Sequence, residues 1–396
     1  MLSAKQIEIV KSTVPLLEGA GTAITEYFYK RMFSHHPELQ HIFNMSNQHS
    51  GRQPFALFAS VAAYAKHVDQ PELLLDMVER IAHKHTSMNV LGEHYAVVGH
   101  HLIETLRELV PDQFTPEVED AWKAAYAQLA DIFIQREAKI YQDNAEQDGG
   151  WSGERRFVLK ERRPESELVT SFIFAPVDGG PVASYEPGQY LGIQVEPDSS
   201  EYREIRQYSL SAAPMEGCYQ ISVKREGAGA DRPGVVSNFL HDQLQVGDEV
   251  SLYAPVGDFF LKPGAADVVL ISGGVGLTPM QAMLETSVNN EPSRSIYYLH
   301  ACEKPSQHTF QQKNRAFSDD GKMQMYTWYR DGATPSANEF EGLMDVAQVE
   351  QLPVDSGEFY LCGPLPFMTH VKKQLIDLKV DPTRIHYEVF GPHSEV

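Results

Sequence analysis

The chain has 396 residues and a formal charge of −21, from 33 lysines and arginines against 54 aspartates and glutamates. That length exceeds one ordinary core and predicts two or three domains, and that charge argues against nucleic acid or an anionic membrane as the main partner, since like charges repel across a Debye length. Three cysteines, Cys218, Cys302 and Cys362, are odd in number and widely spaced, which suggests neither a disulfide framework nor a zinc site and fits a reducing compartment.

The opening stretch, MLSAKQIEIVK, carries charges within its first dozen residues, and no apolar run approaches the length of a membrane span; the expected location is the cytoplasm. From Ala4 to Tyr141 the apolar pattern is helical, with short breaks at Pro37, Ser50–Gly51, Pro71, Gly92, Pro111 and Pro116 and no period-two strand of useful length. Ile7, Val10, Val14 and Leu17 predict a first helix; Ile24, Phe28 and Met32 predict a second, on which Tyr29 sits one place from the stripe. PELQHIFNM carries Phe43. In QPFALFASVAAYAKHV, Gln53 and Leu57 are four apart and share a face. Pro54 disfavours helical geometry in the residue before it. If Ser50 caps this helix, the proline falls at the edge of the first turn and costs little; if the helix starts earlier, Gln53 points elsewhere. Asp69, Pro71 and Glu72 then mark a helix start, after which Leu74, Val78 and Ile81 recur at helical spacing and the next member of the stripe is His85. An imidazole stands where an apolar side chain is expected. Read alone, it is either a core histidine satisfied by a carbonyl, in a chain of 16 histidines, or an iron ligand.

Tyr29, Phe43, Gln53, Leu57 and His85 occur in the order and at the spacing of a globin, and the stretch resembles one. Singly, Tyr29 is a partly buried helix tyrosine, Phe43 a core aromatic, Gln53 a surface residue and Leu57 plain core. The five in register favour ligation of haem iron by His85. The domain is similar in particular to the globin of bacterial flavohaemoglobins. That resemblance implies that Tyr95, in GEHY, and Glu137, in FIQREAKIY, hold the second ring nitrogen of His85 and lend it imidazolate character, which favours oxygen activation over storage. It implies too that Tyr29 hydrogen-bonds dioxygen on the iron with Gln53 assisting, and that Lys84 lies near the junction with a flavin domain. From the residues alone, Glu137 between Arg136 and Lys139 is a solvated helix carboxylate, and Lys84 a solvated lysine.

NAEQDGGWSGERR is polar and glycine-rich and reads as a linker. Beyond it RFVLKERR, ELVTSFIFAPV, QYLGIQVE, EIRQYSLSA and YQISVKRE are short alternating runs between Pro and Gly turns, predicting an antiparallel barrel closed by APVGDFFL, Ala254 to Leu261. Arg206-Gln207-Tyr208-Ser209 is by itself a strand with one inward aromatic. This half resembles the ferredoxin reductase-like flavoproteins, in which RxYS is the flavin strand. The resemblance implies that Arg206 pairs with the FAD pyrophosphate, Tyr208 packs on the isoalloxazine, Ser209 hydrogen-bonds near its reactive nitrogen, and Tyr190 makes a second contact. Gly234-Val235-Val236-Ser237-Asn238 leads into a short helix, FLHDQL, so free backbone N–H groups there, at Val236 and Ser237 among others, would cradle phosphates; the same pattern is also an ordinary cap.

Asp267 to Ser272 is a buried strand of the parallel type, running into Gly273-Gly274-Val275-Gly276-Leu277-Thr278-Pro279 and then a helix, the arrangement that binds a diphosphate or a nicotinamide. SIYYLHACE, MQMYTWYR, EFYLCGP and IHYEVFG are further strands with helices between them, a doubly wound α/β pattern. Cys362-Gly363-Pro364 matches the reductase family's loop beside the nicotinamide, and HYEVFGP places Phe390 where the family stacks an aromatic on the flavin, with Glu388, Val389, Gly391 and Pro392 in contact. HACEKPSQH offers neither a clear ribose-binding acid nor an arginine pair, which leaves NADH against NADPH open.

The expected fold is multidomain: an all-α globin over 1–147, an antiparallel β-barrel FAD domain over 151–262, and an α/β doubly wound NAD(P)-binding domain over 263–396. The resemblance implies a nitric oxide dioxygenase, turning nitric oxide and dioxygen into nitrate with electrons passed from NAD(P)H through FAD to haem b iron. A monomer is expected, without a nucleic-acid partner, and the apolar distal pocket would admit a lipid. The alternatives are a reductase of free flavin, ferric iron or hydroperoxide, and an oxygen-storing or sensing globin with an accessory reductase.

Overall fold

The computed structural model describes residues 2–45, 48, 51–227, 233–290, 293–334 and 336–391, so Ser50 and Pro392 lie outside the described residues. The chain divides into two compact units: Met1–Glu146 with Trp151–Glu154 and Gln194–Arg206, and Gln147–Gly150 with Arg155–Ile193 and Gln207–Val396.

The first unit is built on helices α1 (Ala4–Ser12), α2 (Val14–Ala20), α3 (Ala23–His35), α4 (Arg52–Lys66), α5 (Leu75–Thr86), α6 (Gly92–Leu109) and α7 (Pro116–Glu146), with 3₁₀ turns at Pro37–His41 and Pro71–Leu74. The predicted first helix is therefore two. Pro15 has no N–H to give the Lys11 carbonyl and its ring would crowd that group, so the chain breaks at Thr13 and restarts with the proline in the new first turn. The same logic turns Pro71–Leu74 into a tight entry to α5. Apolar stripes from α1 to α4, α6 and α7 meet in a core that includes Val10, Leu17, Ile24, Tyr64, Leu106 and Trp122. A second layer of Phe28, Tyr29, Met32, Leu39 and Leu102 has Phe43 and Leu57 packed against it. Helices α6 and α7 approach closely at Gly99, where a Cβ would stand 2.3 Å from the Tyr126 ring. Only glycine lets that ring lie there, and its hydroxyl donates to the Tyr95 carbonyl at 2.7 Å. Among the described residues, no helix is long and apolar enough to cross a membrane.

The barrel strands are β1 (Arg155–Pro164), β2 (Val169–Pro176), β3 (Tyr190–Val195), β4 (Glu204–Ser209), β5 (Tyr219–Lys224) and β6 (Glu249–Val256), in the order β4-β3-β6-β1-β2-β5. An antiparallel bridge between Leu210 and Ile221 joins the two ends. The closing strand thus lies earlier than Ala254–Leu261. Phe259 and Leu261 alternate because they bury against Val268, Leu270 and Met280 of the nucleotide half, not because they extend the sheet. A short helix, α8 (Val235–Asp242), precedes β6 and begins four residues before Phe239, where the sequence places its start.

The second sheet comprises β7 (Val268–Gly273), β8 (Ile296–Cys302), β9 (Gln324–Tyr329), β10 (Glu339–Glu341), β11 (Glu358–Cys362) and β12 (Ile385–Glu388), with α9 (Leu277–Asn290), α10 (Gln311–Asp319) and α11 (Leu365–Asp377) between them. Its order is β10-β9-β8-β7-β11-β12 and every pair is parallel. Strand β7 is buried along its whole length, as a strand covered on both faces must be. The short β10 carries no apolar run of its own. The order reverses between β7 and β11, which opens a crevice at their carboxyl ends.

Candidate active site

In the first unit, the last turn of α5 presents His85. Its carbonyl is tied down by the N–H groups of Met88 and Val90, and Tyr141 donates to the Val90 carbonyl at 2.8 Å, fixing the turn against α7. The imidazole Nδ1 lies 2.8 Å from Glu137 Oε1 and 3.0 Å from the Tyr95 hydroxyl, which itself donates to the same Oε1 at 2.6 Å. Phe133 packs against both rings, at 5.9 Å from His85 and 6.1 Å from Tyr95. Glu137 is only 2% exposed. Its charged neighbours are engaged elsewhere, Arg136 on Glu79 and Lys139 on Asp143, so the surface reading of this carboxylate does not hold. A carboxylate facing Nδ1 fixes the proton there and leaves Nε2 with its lone pair. Burial and then the Glu137 charge push the Tyr95 phenol far above its ordinary range, so it remains a donor. Lys84, beside His85, is half-buried.

Tyr29 is buried on α3, edge-on to Phe43 at 5.8 Å. Burial pushes its hydroxyl up to about 12, partly offset by hydrogen bonds with the side chains of Gln53 and Gln48. Gln53 is therefore turned toward the pocket. Helix α4 is capped at Gly51, so Pro54 is its third residue, where no intrahelical donor is needed. Thr25 on α3 donates to the Pro54 carbonyl at 2.8 Å and sets the orientation of that turn. Neither Gln48 nor Thr25 was anticipated. Gln48 sits in a polar stretch without periodicity, and Thr25 was legible only as the neighbour of Ile24 on the stripe.

On β4, Arg206 is held by Glu204 at 2.8 Å and donates to the Ile205 carbonyl at 2.8 Å. Gln207 is exposed, Tyr208 half-buried and Ser209 buried. Tyr190 is buried, and desolvation followed by the Glu388 and Asp258 charges holds its phenol well above the usual range. Gly234 caps α8 without a side-chain hydrogen bond, and Val236 and Ser237 lie buried in the first turn. Among the described residues no side chain caps that first turn, and N–H groups left open in this way fit a diphosphate.

At the crevice of the second sheet, Gly274–Gly276 form a 3₁₀ turn leading directly into Leu277 and α9. A Cβ on Gly276 would stand 2.3 Å from the Cys362 carbonyl oxygen, so the glycine turn and the Cys362-Gly363-Pro364 loop touch backbone to backbone. Gly273 and Gly363 both face the Phe367 ring. Leu277 and Thr278 are buried, and the Thr278 hydroxyl turns back to donate to the Val275 carbonyl at 3.1 Å. Cys362 is fully buried, its thiol raised well above the ordinary value by desolvation and the Glu388 charge. Glu388 ends β12 beside Cys362 in register. Val389 packs on the sheet's core, whereas Phe390 is 42% exposed and Gly391 follows it with φ +123°.

These residues fit the groups they would hold. Among the described residues no cluster of three or more His, Cys, Asp or Glu side chains could hold a metal ion, so iron taken by His85 must bring its other donors with it, as a porphyrin does. Three family models match consecutive stretches: Globin over 26–133, Oxidoreductase FAD-binding domain over 156–261 and Oxidoreductase NAD-binding domain over 270–373. The class is thus an oxidoreductase that uses haem, FAD and a nicotinamide nucleotide. Over its full length the chain is 55% identical to a flavohemoprotein of Vibrio cholerae serotype O1, with 100% of both chains covered. The chain belongs to the flavohemoprotein family. A crystal structure of flavohemoglobin from Malassezia yamatoensis with bound FAD and heme superposes with a TM-score of 0.87 at 25% identity, covering 98% of this chain and 100% of that one. The FAD/NAD-binding domain of nitric oxide dioxygenase from Vibrio cholerae O1 gives 0.57 at 51% identity, covering 60% of this chain and 99% of that one.

Proposed function

We propose that this protein is a cytoplasmic, monomeric nitric oxide dioxygenase that makes nitrate from nitric oxide and dioxygen at the expense of a reduced nicotinamide nucleotide. The observation that carries this reading is the buried contact of His85 Nδ1 with Glu137 and Tyr95. An axial ligand held by a carboxylate donates more electron density than one held by a backbone carbonyl, and that push serves oxygen activation. When bound, haem supplies the oxygen chemistry, FAD converts a hydride into single electrons, and the nicotinamide supplies that hydride.

The chain's own residues position and tune. His85 would hold the haem iron through Nε2 while Glu137 keeps the proton on Nδ1. Tyr29, protonated at any physiological pH, is a donor for dioxygen, with Gln53 and Gln48 orienting its hydroxyl. Phe43 and Leu57 keep the distal side apolar, which would also admit a lipid, and Lys84 stands next to the ligand on the same helix. Arg206 would take the FAD pyrophosphate in place of Glu204, Val236 and Ser237 would offer backbone donors to it, and Tyr190, Gln207, Tyr208, Ser209 and the Glu388–Gly391 segment with Phe390 would surround the flavin. Gly273–Thr278 and Cys362–Pro364 hold the nicotinamide. The domain limits we assign are 1–147, 151–262 and 263–396.

The test is nitrate formation from nitric oxide in air with NADH, measured beside reduction of free flavin, ferric iron and a hydroperoxide in one preparation. Nitrate formation should be the fastest, and Tyr29→Phe should cut it by about 100-fold, the loss typical of one oriented donor to developing negative charge. Equal or faster rates for the other acceptors, or a small effect of Tyr29→Phe, would sink the proposal.

A further inference from the structure

The turn between β1 and β2 reaches from the barrel to the segment that follows β8, both within the second unit. At its tip Glu167 meets three donors. Lys304 Nζ lies 2.9 Å from Oε1, the Ser306 hydroxyl donates to Oε2 at 2.6 Å, and Gln307 Nε2 donates to Oε1 at 3.1 Å. The Glu167 N–H donates to the Ser306 carbonyl at 3.0 Å, and Thr309 donates to Ser166 at 3.1 Å. A lysine, a hydroxyl and an amide converging on two oxygens form an anion cradle. Its effect on Glu167 is plain: the Ser306, Lys304 and Gln307 contacts hold that carboxyl down at about 2.

The cradle's side chains are exposed or, at Gln307, half-buried, but the backbone just beyond it is anchored. His308, Thr309 and Phe310 directly after it are buried. His308 Nδ1 lies 2.7 Å from the Tyr329 hydroxyl. Phe310 adopts φ +60°, a left-handed conformation that a bulky residue takes only where its surroundings impose it. The position matters as much as the chemistry. Ala301 pairs with Gly273 in register, so Lys304 leaves the sheet on the same carboxyl edge as the glycine turn, one strand over. A dinucleotide with its nicotinamide between β7 and β11 has its adenosine ribose over that neighbouring edge, the place where doubly wound folds read the 2′ position. The other carboxylate there, Glu303, lies 3.6 Å from Arg330.

We propose that Glu167 selects NADH over NADPH, because its carboxylate occupies and neutralises the Lys304, Ser306 and Gln307 donors that would otherwise take the 2′-phosphate. The inference rests on the placement of the nicotinamide given under the proposed function. A 2′-phosphate carries close to two negative charges, so meeting a resident carboxylate in place of a free lysine costs it binding through repulsion and lost pairing. NADH, which lacks that group, does not feel the difference in the same way.

The experiment uses the full chain loaded with haem and FAD, ferricyanide as an acceptor that drains the flavin, and initial rates over a range of NADH and NADPH. The wild type should favour NADH. In Glu167→Gln, kcat/KM for NADPH should rise on the order of tenfold through KM and not kcat, lowering the NADH-to-NADPH ratio accordingly. Adding Lys304→Gln should remove the gain, and so should high salt. If Glu167 only fastens the barrel turn to the neighbouring segment, both nucleotides suffer alike and the ratio stays put. A ratio within twofold of wild type in both Glu167→Gln and Glu167→Ala, or a wild type that uses NADPH as well as NADH, would overturn the proposal. Absence of any NADH-to-ferricyanide turnover in the loaded wild type would instead strike the nicotinamide placement itself.

Discussion

Glu137 gives one oxygen to two donors, while its Oε2 is buried with no hydrogen-bond partner among the described residues. An unsatisfied buried carboxylate oxygen is costly, and it is tolerated here because the charge acts on His85. Glu137→Gln keeps the volume and removes the charge. It should lower the iron–histidine stretching frequency of the ferrous protein and slow nitrate formation by about 10- to 100-fold, the usual cost of a lost partner behind a metal ligand; an unshifted frequency would mean the carboxylate does not reach the iron. This residue was partly legible. Phe133, Glu137 and Ile140 recur at helical spacing on the buried face of α7, a signal that outweighs the flanking Arg136 and Lys139. Gln48 was not legible at all, because the polar sequence around it has no apolar periodicity to announce a contact with Tyr29.

At the scale of elements, α3 and α6 are joined where Arg31 pairs with Glu104 and Glu108 and its guanidinium also meets a buried imidazole. His101 on α6 is buried with its Nδ1 against the Arg31 guanidinium, and the rings of His35, His36 and His100 lie 5.0–5.3 Å away. Burial first, then Arg31 and the three neighbouring imidazoles, pushes His101 down to about 4. Its ordinary value is 6.5, so between those limits the unfolded chain binds a proton that the folded one refuses, and stability falls as pH drops from about 6.5 to 4. His101→Asn keeps an acceptor for Arg31 and deletes the titration. Followed by loss of the haem absorption, its acid midpoint should move to lower pH; an unchanged midpoint would place the acid-sensitive step elsewhere. Apart from β10, the helices and strands were readable in chain order from apolar spacing. The split of the first helix was not, although Pro15 was in view, because the stripe Ile7–Leu17 continues through it. The closing strand was misplaced for a related reason: alternation at Phe259 and Leu261 reports burial, and the partner that buries them belongs to a different layer.

On the scale of the whole molecule, the second unit is one body because polar contacts as well as apolar ones cross it. Glu285 on α9 accepts from the Ala213 N–H of the barrel at 3.3 Å, from Gln281 at 3.0 Å and from Lys313 of α10 at 2.6 Å. Glu285→Ala strands those donors and should cost about 1–3 kcal/mol, seen as a lower temperature of flavin release by fluorescence with the haem band unaffected; equal loss of both signals would contradict this assignment. That Gln194–Arg206 cluster with the helical unit is a long-range outcome no local pattern carries. Gly99 shows how far a small substitution can act. A methyl group there would displace the ring of Tyr126, whose hydroxyl steadies the backbone of Tyr95, whose own hydroxyl shares Glu137 with His85. A glycine in mid-α6 is thereby the adjusting screw of the His85 ring, which a single added methyl group can reach through a chain of three contacts.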